Sequence, residues 1–158
     1  QYLCLKGVCR IIYPTNAFQA KILADFMLAH AFTQPLADMH YVGWAEEEHG
    51  KPVKLQMVVG LGGFMGSVCN IHVAMAPGFH FTPKIMLERV FQHAFEEFKV
   101  KKLIGIVNSL NEKAMKYDLH LGFVEEHRIV GMHDDGGDIV ILSMTPEQCR
   151  YLKRIEAA

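Results

Sequence analysis

The stretch VCNIHVAMAP-GFHFT-PKIMLERVFQHAFEEF, residues 68–98, decides how the rest of the chain reads. Its opening segment is half alternating and rich in Val, Ile and Met, which predicts a strand over residues 68–77. The loop GFHFT follows, and Thr82-Pro83 then opens a helix. Thr is a favourable N-cap, and Pro at the first helical position has its φ preset and no amide to leave unpaired. Over residues 84–98, Leu87, Val90, Phe91, Ala94, Phe95 and Phe98 recur at helical spacing and form one apolar stripe. A strand, a short loop and a helix N-terminus make an anion-binding arrangement. The helix end offers unpaired amides and a positive dipole to a phosphate.

Working outward, KKLIGIVNSL (residues 101–110) predicts a second apolar strand, and NEKAMKYDLHLGF (111–123) a short helix closed by a Gly stop. Upstream, VCRIIY (8–13) reads as a first strand and AFQAKILADFMLAHAF (17–32) as an amphipathic helix. In that helix Ile22, Phe26 and Ala29 form one row, with Leu23, Met27 and His30 beside it. MHYVGWAEE (39–47) and KLQMVVGLGGF (54–64) predict an antiparallel pair with a hairpin between them. Gly60, Gly62 and Gly63 in the second of these point to a bulge or a close backbone approach. Residues 123–132 and 138–144 predict the last two strands, and 145–155 a C-terminal helix capped by Thr145. Strand–helix alternation in the middle and hairpins at the ends predict one α/β domain over residues 1–158. Its sheet is mixed and mostly antiparallel, with helices on both faces.

The 158 residues are 51% apolar and 21% charged, with a formal net charge of −1 when the nine His are neutral. No basic stripe emerges, so non-specific nucleic-acid binding has no electrostatic footing. No apolar run is long enough to span a bilayer as a helix, and the N-terminus lacks the layout of a secretory signal. The cysteines at 4, 9, 69 and 149 lack zinc spacing and read as reduced structural thiols, with a Cys4–Cys9 disulfide as the alternative. The expectation is a cytoplasmic protein. His127, His133, Asp134 and Asp135 lie in a polar turn without repeated spacing, so no metal centre is expected.

Asn111, Ala114, Gly122 and Phe123 fall in the pattern N-x-x-A followed eight residues later by G-F. This resembles the second motif of the GNAT superfamily of N-acetyltransferases, and with the flanking strands the resemblance covers roughly residues 8–145. The run DIVILSMTPEQCRY (138–151) is also similar to GNAT-like proteins of tailed phages, which implies a virion-associated alternative. The resemblance implies a GNAT-type fold, acetyl-CoA as co-substrate, and transfer of acetyl to an amine of a small molecule or a protein. An oligomer is compatible with it. The second reading is a GNAT-fold protein without CoA binding that serves as a structural or interaction component. In the family, amides of the central strand orient the thioester and a glycine-rich loop, Gln/Arg-x-x-Gly-x-Gly/Ala, holds the pyrophosphate. Here the strand positions are Val73, Ala74 and Met75, and the loop is Gly78, Phe79, His80, Phe81 and Thr82, with one glycine.

Two readings of that loop stand side by side. In one, His80 donates to a phosphate while Phe79 and Phe81 stack on adenine; in the other, the two Phe side chains plug the diphosphate position. Asn111 is the expected polar contact to the pantetheine amides. Many relatives carry a Tyr acid four residues before the motif Gly; that position is Asp118 here, and Tyr117 is about 100° away around the helix. Asp118 donates a proton only where burial raises its pKa. His72, on the central strand with Asn70 and Ala74, is the candidate base, against a hydrogen-bonded His in a sheet face. Glu46, Glu47 and Glu48 are a weaker carboxylate alternative at a hairpin tip.

Overall fold

The computed structural model describes residues 2–4, 7–31, 34 and 36–152. The elements are β1 (Tyr2–Cys4), β2 (Gly7–Ile12), α1 (Ala17–Ala31), β3 (His40–Glu48), β4 (Lys51–Met65) and β5 (Val68–Met75). After them come α2 (Lys84–Gln92), a π-helical turn (His93–Glu97), β6 (Lys102–Asn108), α3 (Glu112–Leu121), β7 (Val124–Ile129) and β8 (Ile139–Met144). The fold is mixed α/β with a mostly antiparallel sheet, as expected. The chain forms two compact units, one of residues 1–63 and 71–90, the other of residues 64–70 and 91–158.

In the first unit the strand order is β1-β2-β3-β4 followed by the C-terminal half of β5. β3 and β4 meet at His49-Gly50, both at positive φ (51° and 78°), as a two-residue hairpin of the right twist demands. The register slips between Trp44/Ala45 and again between Glu46/Glu47, and Pro52 sits opposite Glu47 beyond the second slip. That is where a residue without an amide is tolerated. Leu23 and Met27 of α1 pack with Tyr41, Val58 and Ala74 into a buried cluster. Of the two apolar rows of α1, the one holding Leu23 and Met27 faces the core, and Ile22 of the other is 43% exposed. The glycines of β4 do permit a close approach: a Cβ on Gly60 would lie 2.6 Å from Met39 Sδ.

In the second unit β5 runs parallel to β6 at Val68↔Lys102, Cys69↔Leu103 and Asn70↔Ile104, and β6 pairs with β8 antiparallel from Leu103↔Met144 to Asn108↔Ile139. β7 closes the order against β8, with a bulge between Glu125 and His127. Leu103, Val140, Leu142 and Met144 are buried, as are Phe91, Phe95, Leu121 and Phe123.

Three expectations need correction. The helix expected over 84–98 is α-helical only to Gln92 and continues as a π turn, where Phe98 N–H donates to His93 O at 2.9 Å. The helix expected over 145–155 is a run of turns as far as residue 152; 153–155 lie outside the described residues. Thr145 N–H donates to Gln148 Oε1, and the amides of Gln148 and Cys149 return to Thr145 O, so the capping signal closes a single turn. Cys9 is disulfide-bonded, while Cys69 and Cys149 are buried thiols outside any disulfide; the side chain of Cys4 lies outside the described residues.

Candidate functional site

In the first unit the site is the end of β5, the 76–83 loop and the start of α2. Ala76 N–H donates to Gln56 O of β4 at 2.8 Å. Successive amides of a strand point to opposite edges, so the Val73 and Met75 amides point away from β4. Those two, rather than Ala74 and Ala76, are the donors this strand offers a ligand. Ala74 gives its side chain to the core, 1% exposed, and opens no room for a ligand arm.

Phe79 N–H donates to Ala76 O at 3.0 Å, with Pro77 and Gly78 between them and Gly78 at φ 80°. This is the type II turn pattern, so the loop's one glycine serves the turn. A Cβ on Gly78 would meet nothing within 4 Å. Phe81 is 62% exposed, which fits a stacking platform better than a plug, and its ring centroid lies 5.6 Å from that of half-buried Phe79. His80 is exposed. The Pro83 carbonyl accepts from the Met86 and Leu87 amides at 2.9 and 3.2 Å, so the first helical bond belongs to Pro83, one residue past the expected cap at Thr82. The Lys84 and Ile85 amides follow a residue that has none, at the positive end of the helix dipole.

His72 shares a strand face with Ala74, and its Nε2 is buried without a hydrogen-bond partner among the described residues. Burial pushes its pKa below the ordinary value. The imidazole is therefore neutral at pH 7 and able to accept a proton. The Glu46–48 alternative is spent elsewhere: Glu46 accepts from Gln56 Nε2, Glu47 pairs with Arg10 at 2.9 Å, and Glu48 is exposed opposite Lys51.

In the second unit, Asn111 caps α3, its Oδ1 accepting from Ala114 N–H at 3.1 Å. This leaves its NH2 group, not its carbonyl, for a ligand. Gly122 ends the helix at φ 119°, and the Phe123 amide returns to Asp118 O at 3.1 Å. The motif residues thus begin and end one helix. On that helix Tyr117 and Asp118 are both half-buried, and burial raises the Asp118 carboxyl to about 6. The shift is in the direction that the expected role as an acid requires. In the 133–137 turn, Asp135 holds His133 Nδ1 at 3.0 Å and Asn108 Nδ2 at 2.6 Å. No group of three or more potential metal ligands occurs among the described residues. No helix there is long and apolar enough to cross a membrane.

The element order and sheet topology give a mixed α/β fold of the kind the GNAT resemblance implies. Solved structures carry the likeness further. A spermidine N-acetyltransferase from Vibrio cholerae, solved with CoA and spermine, superposes with a TM-score of 0.67 at 13% identity, covering 92% of this chain and 98% of that one. A point mutant of that enzyme gives 0.69 at 15% identity over 94% and 98%. Its dodecameric structure in an intermediate state gives 0.61 at 19% identity over 76% and 71%. At these identities the likeness establishes the fold. No protein-family model matches the sequence, and no curated protein does. The phage similarity finds no support among these structures.

Proposed function

We propose that this protein is an acyl-CoA-dependent N-acyltransferase that moves an acetyl group from acetyl-CoA to an amine. The observation that carries the reading is the fold likeness, nearly end to end, to an acetyltransferase solved with CoA. In this reading the amine nitrogen attacks the thioester carbonyl carbon, and the tetrahedral intermediate collapses by breaking the C–S bond. The N–H proton leaves to a base and the thiolate takes up a proton. Val73 and Met75 amides orient the thioester, and the amides opening α2 hold the pyrophosphate with Phe79 and Phe81 beside the adenine. His72 is the base and Asp118 the acid; Tyr117, on the neighbouring helical position, is the alternative to Asp118. The acceptor is a small-molecule or protein amine. The neighbours' polyamine substrates and dodecameric assembly make spermidine and spermine the first acceptors to screen and an oligomer the first state to measure. A cytoplasmic location goes with this reading.

The test is a calorimetric titration with acetyl-CoA, repeated with desulfo-CoA, followed by transfer assays on amines. Micromolar binding of both is expected, since the cradle recognises the nucleotide end. No heat up to millimolar ligand overturns the proposal.

A further inference from the structure

We propose that β7 is a dimerisation edge, along which a second copy of this chain pairs antiparallel about a two-fold axis between Glu126 and His127. β7 ends the strand order, so among the described residues only β8 pairs with it. The neighbouring ladder fixes which of its backbone groups face the open edge. Ser109 N–H donates to Asp138 O at 2.9 Å, so Asp138 and, by alternation, Val140, Leu142 and Met144 bond toward β6. Ile139, Ile141 and Ser143 then bond toward β7, where they stand opposite Ile129, His127 and Val124. The backbone groups of Glu125 and Arg128 are therefore turned to the open edge.

The same register sorts the side chains. Glu125 and Arg128 stand opposite buried Leu142 and Val140 on one face of the sheet. Val124, His127 and Ile129 lie on the other. Glu126 joins this second face, where its carboxylate accepts from Ser143 Oγ and Lys102 Nζ, because the bulge sets it beside His127. The run Val-Glu-Glu-His-Arg-Ile thus reads the same from either end. Two-fold pairing sets Val124 opposite the partner's Ile129, Glu125 opposite the partner's Arg128 and Glu126 opposite the partner's His127. Every opposed pair then shares a face, and the outward backbone groups of Glu125 meet those of the partner's Arg128. A shift of one residue sets Glu126 opposite the partner's Glu126, or His127 opposite the partner's His127, and opposes side chains of different faces. Charges on an edge strand repel most other strands. Here a second copy in one register supplies all the matches at once, as an isologous contact requires. Arg128 holds Glu125 by two bonds, of 2.9 and 2.8 Å, and Asp138 by one of 2.9 Å. Its Nη1 and Nη2 each keep a further N–H for the partner's Glu125, which closes a ring of alternating charge. An edge of 6 residues is a small contact, so the dimer is weak and reversible.

Sedimentation equilibrium of the intact protein tests this. A monomer–dimer equilibrium with a dissociation constant on the order of 10 µM is expected. Glu125→Arg opposes Arg to the partner's Arg128, and Arg128→Glu opposes Glu to the partner's Glu125. Each variant alone should weaken the dimer by about tenfold or more. Mixed in equal amounts, the two variants present Arg to Glu at both crossings, and a heterodimer should return within about threefold of wild-type affinity. Each change breaks an exposed ion pair, so the fold stands. Deuterium exchange of the wild type gives a readout that needs no variant. Between about 1 and 100 µM protein the Glu125 and Arg128 amides should slow at least about threefold, while those of His127 and Ile129, bonded to β8, should not change. A wild type that stays monomeric at ~1 mM overturns the proposal. So do single variants that associate like the wild type, a mixture as weak as its components, or Glu125 and Arg128 amides indifferent to concentration. The contact involves neither acetyl-CoA nor the amine, so its failure and that of the proposed activity are told apart.

Discussion

Asp118 stands four residues before Gly122 with a carboxyl raised to about 6 by burial, and the sign of the consequence is fixed. A carboxyl whose folded pKa exceeds its unfolded value holds its proton more tightly when folded. Stability from this group is therefore greatest below pH ~4 and falls as pH rises through about 6. Asp118→Asn removes the loss. In urea unfolding the variant should match the wild type near pH ~4 and exceed it by up to about 3 kcal/mol above pH ~7. If Asp118 also protonates the leaving thiolate, the same variant should lose about 100-fold in kcat. Activity falling while stability rises is the signature of a buried catalytic acid; stability rising with kcat unchanged would return Asp118 to packing. Gly122 offers a second test. An added Cβ would lie 2.2 Å from the Gln148 carbonyl oxygen, at a φ of 119° that side chains rarely adopt. Gly122→Ala should cost about 2–4 kcal/mol in thermal unfolding. The glycine's place in the motif is thus explained by packing against the 145–149 turn, independently of any ligand.

At the scale of elements, α3 separates a structural role from a ligand role in one residue. Asn111→Ala should lose about 1 kcal/mol, because the Ala114 amide loses its cap. Asn111→Asp keeps an accepting oxygen there and should hold stability within about 0.5 kcal/mol. If the Asn111 NH2 group also contacts pantetheine, Asn111→Asp alone should weaken acetyl-CoA by about tenfold in calorimetry. The central element, 68–98, was legible in its order of strand, loop and helix, but the strand stops at Met75 rather than at residue 77 and the helix is capped at Pro83, one residue later than Thr82-Pro83 put it. The π turn at His93–Glu97 was not, since nothing in HAFEE distinguishes it from another turn of α-helix. Nor was the rotation of α1, whose two apolar rows are both plausible until β3 and β4 choose Leu23 and Met27. Thr145-Pro146 misled because a cap-and-proline signal is local. Gln148 satisfies it within one turn, and its carbonyl is held at Gly122 by the tertiary fold.

For the molecule as a whole, the near-zero net charge has a practical outcome. With a formal charge of −1 at pH 7 and a sequence pI near 6.8, the chain passes through neutrality just below pH 7. Static light scattering should show self-association strongest between about pH 6 and 7 and reduced near pH 8. A rise at pH 8 instead would assign the association to exposed apolar residues such as Phe18 (74%) and Val130 (73%). The architecture was readable because apolar runs and Gly/Pro punctuation alternate along the whole chain. The candidate site was readable only as positions. The polarity of the β5 amides depends on which neighbour Ala76 bonds, and the Asp118 pKa depends on how deeply α3 is packed; neither is a property of local sequence.

The alternation of those amides sets a clock as well as a docking edge. Ala74 and Ala76 face β4, and Val73 and Met75 face away, so neighbouring residues of one strand should exchange their amide protons with solvent deuterium at different rates. In the free protein Val73 and Met75 should exchange early and Ala76 late. Saturating acetyl-CoA should slow the first pair and leave the third untouched, and the strand would then report its ligand residue by residue.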